Sequence, residues 1–244
     1  MQENTIFVKR YDANDEIFPV REREIWRYSG YLGFADGVEK ELQNLLEEVR
    51  KELKNAFSYN VCYRRMKIEW QNTCKTAEEN LKSSIYMPKL PFSTESKALA
   101  KCLYGSDEII IFAATIGFEI DRYIAKYQRF SPAKALLMQA YGAERIECLC
   151  DVFCKEIKEE VAKEGLSCTP RFSPGYGDLS LEVQKEFFQL LDCQRQIGIT
   201  LNDSLLMTPS KSVTAIFGLG SCVDKVSEHK CNMCKKTDCV YKSR

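Results

Sequence analysis

The residues Arg171-Phe172-Ser173-Pro174-Gly175-Tyr176-Gly177-Asp178 have the types and spacing best suited to hold a small ligand. A proline and two glycines between helical patterns make a loop whose backbone can approach a ligand closely, since glycine has no Cβ to hold it off. Exposed N–H groups of this loop can bind a carboxylate, and the Arg171 guanidinium can pair with it bidentately. Tyr176 can cover a flat base or a sulfonium by aromatic contact. The plain alternative is a Pro/Gly turn beside a surface arginine.

The second concentration of chemistry is the tail from residue 221, polar and without periodicity. It holds Cys222, Cys231, Cys234 and Cys239, and Cys231-Asn-Met-Cys234 is a Cys-x-x-Cys. Four thiolates in one short stretch can wrap one metal centre, either structural zinc or an iron–sulfur cluster, although the spacing fits neither standard pattern well. A mobile tail of reduced thiols and a redox-active Cys-x-x-Cys are the alternatives. The only histidine is His229, also in the tail, and no Ser–His–Asp or Cys–His set is evident. A self-contained acid–base enzyme is therefore not expected.

The elements that must position these residues follow from hydrophobic periodicity. Residues 35–56, after an N-cap at Asp36, place Val38, Leu42, Leu45, Leu46, Val49 and Leu53 on one helical face. Residues 58–70 and 83–87 are aromatic and β-branched and predict strands. A helix is expected near 94–103. Residues 108–114 form a continuous apolar run, the pattern of a strand buried on both faces. A helix carrying Ile120, Tyr123, Ile124 and Tyr127 follows Gly117. Pro132 opens a long helix to about residue 163, ended by Gly165. A further helix is expected from 180 to 196, stopped by Gly198, then strands at 204–207 and 212–217 joined across Pro209. The best candidate for a boundary, a weak one, lies near 90–105. The expected class is α+β, a mainly antiparallel twisted sheet flanked by helices. Residues 1–220 form the main domain and 221–244 a Cys-rich tail.

Composition narrows the class. Lys plus Arg and Asp plus Glu are both 35, so the basic excess of a nucleic-acid binder is missing. The longest apolar stretch, 109–116, is far too short to span a bilayer, and the first ten residues lack the apolar core of a signal peptide. A cytoplasmic location is expected, in which the twelve cysteines are thiols or metal ligands rather than disulfides. Cys150 and Cys154 share a face of the long helix and read as small buried thiols.

The loop also resembles the Arg-x-x-x-Gly-Tyr signature of the activation domain of cobalamin-dependent methionine synthase. Downstream, residues 186–191, Ile197-Gly198-Ile199, Ser204-Leu205-Leu206-Met207-Thr208-Pro209 and Ser212-Val213 resemble that family in the same order. Upstream, Glu147-Cys-Leu-Cys-Asp151 resembles its Glu-x-x-x-Glu. Arg23 to Gly33 and Ala113-Ala114-Thr115-Ile116-Gly117 are similar to short stand-alone members. The resemblance spans roughly residues 20–220. It implies a domain that binds S-adenosylmethionine and holds the methyl donor over a cobalamin carried by a partner methionine synthase. There, one electron and one methyl group restore cofactor lost to the cob(II) state. It also implies that Arg171, Gly175 and Tyr176 contact the ligand, and that Glu147 is an acidic contact, the alternative being a solvated helix-face carboxylate. Thr208 stands where the fused domain has Trp, and that domain's C-terminal segment, which supplies another Tyr, has no match. The electron donor would be a flavoprotein or similar. On this function the tail favours iron–sulfur over zinc, because zinc has no redox chemistry. The rival class is a metal- or iron–sulfur-containing accessory or electron-transfer protein for another corrinoid methyltransferase. A third is a structural interaction protein whose ligand loop is vestigial.

Overall fold

The structure, a computed structural model, describes residues 5–12, 16–31, 39–72 and 86–221. The tail cysteines Cys222, Cys231, Cys234 and Cys239, and the expected N-cap Asp36, lie outside the described residues. A five-stranded sheet organises the chain: β1 (Phe7–Tyr11), β2 (Tyr59–Lys67), β5 (Glu108–Thr115), β9 (Ser212–Gly220) and β6 (Ser167–Cys168), in that spatial order. Every pairing is antiparallel. Two small ribbons stand beside it. One pairs β3 (Glu69–Asn72) with β4 (Tyr86–Lys89), the other β7 (Thr200–Leu201) with β8 (Met207–Thr208).

The uninterrupted apolar run of β5 is explained by helices on both faces of the sheet. Ile110, Phe112 and Ala114 point into one core with Val61, Ala215, Phe217 and Leu219. That core is closed by α1 (Glu22–Tyr28), α2 (Lys40–Leu53), α4 (Glu119–Phe130) and α5 (Pro132–Ala162). Ile109, Ile111 and Ala113 point the other way, with Cys62 and Ile216. There α3 (Lys97–Leu103), α6 (Val183–Leu191) and α7 (Cys193–Ile197) cover them. Alternating side chains of one strand thus feed two cores. The fold is α+β, as expected. The interval 90–105 lies inside this packing, since α3 buries Leu99 and Leu103.

The long helix α5 begins on Pro132, which has no N–H to leave unpaired in the first turn. It stops at Gly165 (φ 77°), where the Leu166 amide donates back to the Val161 carbonyl. Three expectations change. The stretch 58–70 is two strands, because the chain leaves the main sheet after Lys67 to start the β3–β4 ribbon. The helix expected over 180–196 is broken by Asp192, left-handed at φ 47°. Residues 204–207 are mostly turn: Leu205 has φ 61° and Asn202 accepts from the Leu206 amide at 2.9 Å. The strands β1 and β6 and the helix α1 were not legible as elements.

Phe153 of α5 is fully buried, with ring centroids 4.9 Å from Phe112 and 5.2 Å from Tyr63. Phe153→Ala is expected to cost about 3–5 kcal/mol, the usual price of a large core cavity. Urea unfolding should show a lowered midpoint at unchanged slope. A loss under about 1 kcal/mol would mean that α5 is not seated on the sheet as described.

Candidate functional site

The site forms where the chain leaves the sheet edge. After β6, Thr169 and Phe172 still bond to β9: the Thr169 amide donates to Gly218 O at 2.9 Å, and Phe172 and Ile216 exchange two bonds of 2.8 Å. Phe172 is buried in the core under α3 and α6. Its neighbour Arg171 therefore projects to the opposite face, toward α5.

There Arg171 meets two carboxylates one turn apart on α5. Its Nη2 pairs with Glu147 and lies 3.2 Å from Asp151 Oδ1. Its Nη1 is buried without a hydrogen-bond partner among the described residues. The Cys150 and Cys154 thiols lie alongside the guanidinium. Burial opposes the arginine's charge, but Cys150, Glu147 and Asp151 outweigh that and raise its pKa. Tyr28 of α1 borders the same group: burial first, and the Glu147 carboxylate next, push its hydroxyl above the ordinary tyrosine range.

Behind this pair lies an ionic chain that the sequence reading missed. Arg21, which leads into α1, donates from Nη1 to Asp151 Oδ2 at 2.7 Å and from Nε to Glu144 Oε1 at 3.0 Å. Glu144 is completely buried and also accepts from Arg145 Nε at 2.6 Å. Arg145, itself buried, spends its other nitrogens on the carbonyls of Phe18 and Pro19, at 2.7 and 2.8 Å. The four-residue spacing of Glu147 and Asp151 was the one available signal, since it puts both on one helix face. Nothing local marks Arg21.

The loop itself is closed by its own bonds. The Gly175 amide donates to Leu179 O at 2.9 Å and the Tyr176 amide to Ser173 O at 3.1 Å. These two N–H groups are thus committed within the loop rather than offered outward, which corrects the expectation for them. Gly175 and Gly177 have φ of 83° and 59°, so the glycines serve the turn's left-handed backbone. Asp178 locks the loop to α3, accepting from the Ser96 hydroxyl and from the Lys97 and Ala98 amides at 2.9 and 3.2 Å. Ser173 and Pro174 are half-buried. Tyr176 stays 59% exposed, its ring edge-on to Phe172 at 5.5 Å. The structure thus brings Arg171 and Glu147 into contact and leaves Tyr176 on the loop surface. Among the described residues no group of three or more His, Cys, Asp or Glu is arranged to hold a metal, and no helix is long and apolar enough to cross a membrane.

The family model for the vitamin B12 dependent methionine synthase activation domain matches residues 99–239. The chain belongs to that family. The matched span takes in Glu147, Asp151 and the whole loop, and starts after Arg21 and Tyr28. Among solved structures, this activation-domain protein is similar to the crystal structure of the MetH reactivation domain bound to AdoHcy. The TM-score is 0.59 at 15% identity, over 88% of this chain and 78% of that one, a likeness of fold. No curated protein matches the chain.

Burial raises the Cys150 thiol well above its ordinary range and pushes Cys154 up to about 12. Both are therefore protonated and unreactive near neutrality. Iodoacetamide on the native protein at about pH 7.5 should spare Cys150 and Cys154, while the denatured chain is alkylated at both. Peptide mass spectrometry reads this out, and early labelling of either thiol would contradict the burial described.

Proposed function

We propose that this activation-domain protein binds S-adenosylmethionine and serves the reductive methylation of cobalamin on a methionine synthase lacking its own activation domain. The observation that carries the reading is the Arg171–Glu147 pair beside the family's signature loop. The amino-acid end of S-adenosylmethionine presents a carboxylate and an ammonium side by side. A guanidinium next to a carboxylate is their complement, and without ligand the two protein charges satisfy each other. Exposed Tyr176 offers a ring face to the adenine or the sulfonium, and Ser173, Pro174 and Gly175 shape the turn that presents it. The ligand supplies the methyl group, while the protein orients it and keeps water out. The corrinoid belongs to a partner chain in the cytoplasm, and an electron donor of the flavoprotein type completes the set.

The tail enters the proposal as a metal centre held by Cys222, Cys231, Cys234 and Cys239, iron–sulfur in preference to zinc because the reaction consumes an electron. Anaerobic purification with iron, sulfide and zinc analysis tests it. Iron with sulfide supports the cluster, stoichiometric zinc replaces it with a structural clamp, and freely titrating tail thiols remove the site. An iron–sulfur tail on a chain that ignores S-adenosylmethionine would favour the rival reading, an accessory protein for another corrinoid methyltransferase.

Calorimetric titration with S-adenosylmethionine tests the main reading, and absence of heat and of any thermal stabilisation would end it. Arg171→Ala should weaken binding by roughly 1.5–3 kcal/mol, the range for a hydrogen bond to a charged group. An unchanged affinity would remove Arg171 from the site.

A further inference from the structure

We infer that Asp151 is a resident competitor for Arg171 and that Arg21 is the positioning residue that draws it away, so that this pair sets how tightly the ligand is held. The inference rests on the proposed role of Arg171 as partner of the ligand carboxylate.

The two oxygens of Asp151 go to two different guanidinia. Oδ2 is 2.7 Å from Arg21 Nη1, and Oδ1 is 3.2 Å from Arg171 Nη2, so the closer contact is to Arg21. Arg21 cannot simply follow Asp151 toward Arg171. Its Nε and backbone amide are both tied to Glu144 Oε1, at 3.0 and 3.3 Å. Glu144 is fixed in turn by Arg145, which is anchored on the carbonyls of Phe18 and Pro19. The position of Arg21 is thus set by a buried chain that reaches no ligand.

Competition is concentrated on one nitrogen. Glu147 and Asp151 both meet Arg171 at Nη2, while Nη1 is buried and makes no hydrogen bond among the described residues. An arriving carboxylate must contest Nη2 with these two. Glu147 has a use in the bound state, as partner of an ammonium. Asp151 has none on the ligand, and Arg21 is where it can go. Removing the negative charge of Asp151 leaves Arg171 with one fewer rival. Removing Arg21 leaves Asp151 with Arg171 as its only cation among the described residues, and the ligand must then break a stronger pair.

Opposite signs from the two ends of one ion pair distinguish this role from a structural one, in which both substitutions loosen the site. The test is calorimetry with S-adenosylmethionine on the full chain, with thermal melting of each variant as the folding control. Asp151→Asn should tighten binding and Arg21→Gln weaken it, each roughly threefold to tenfold, the scale of coupling between contacting charges. In the Asp151→Asn background, Arg21→Gln should have no further effect. Arg21→Lys, which keeps the charge, should recover most of the affinity lost in Arg21→Gln. Loss of affinity in both single variants, or an Arg21 effect that persists without the Asp151 charge, would overturn the inference while leaving the S-adenosylmethionine reading intact. A wild-type chain that does not bind S-adenosylmethionine would overturn both.

Discussion

Two charged side chains, Glu144 and Arg145, lie inside the protein halfway along α5, and the arrangement of the site depends on how their charges are met. Taking an isolated carboxylate and guanidinium out of water costs several kcal/mol each, on the order of what a whole domain has to spare. Their mutual contact covers part of that. The rest comes from the segment 18–21, whose carbonyls, backbone amide and Arg21 side chain fill the remaining hydrogen-bonding positions. The N-terminal segment is therefore held on α5 by polar satisfaction as well as by the burial of Phe18, Ile25 and Trp26. Because Arg21 is engaged with Glu144 through Nε, its outer nitrogen is delivered to Asp151. A buried pair of this kind is weak as a source of net stability, but its hydrogen bonds tie the position of 18–21 to α5.

The same reasoning explains what the sequence revealed and what it hid. The strand β5 and the helix α5 were legible because burial writes itself into local pattern, a continuous apolar run in one and Pro132 and Gly165 at the ends of the other. The strand β1 was not, because Lys9 interrupts its apolar pattern. That lysine is accommodated by Glu156 and Glu160, about 150 positions away. The helix over 180–196 was over-extended because no apolar periodicity reports a single left-handed residue at Asp192. Arg171 was singled out by its type and place in the loop and Glu147 through resemblance to a family, and their contact across the fold is now seen. Arg21 and Asp151 were missed as partners because an ion pair between positions so far apart leaves no trace in either neighbourhood.

In the loop the difference lies in the backbone amides. Glycines were expected to expose backbone donors. Instead the turn uses the Gly175 and Tyr176 amides internally, and Asp178 pins it to α3. These bonds tie the loop to itself and to α3. What the turn leaves outward is side chains, Tyr176 above all, rather than the amides of Gly175 and Tyr176.

The position of the site follows from the sheet's edge. Pairing along β9 is complete on its β5 side from Ser212 to Leu219, but on the other side it fails after a few residues. Pro170 and Pro174 have no N–H to donate, so the sequence Thr169-Pro170-Arg171-Phe172-Ser173-Pro174 can pair at Thr169 and Phe172 and cannot extend the ladder. An edge that ends this way resists pairing with another chain. It also alternates one last time before the turn, sending Phe172 into the core and Arg171 to the face of α5. The buried phenylalanine thereby fixes the arginine: a shift of one residue in register would bury the guanidinium under α3 and α6 and turn Phe172 toward Glu147 and Asp151. Hydrophobic burial on one side of the sheet sets the register, and the register puts the cation among the carboxylates on the other.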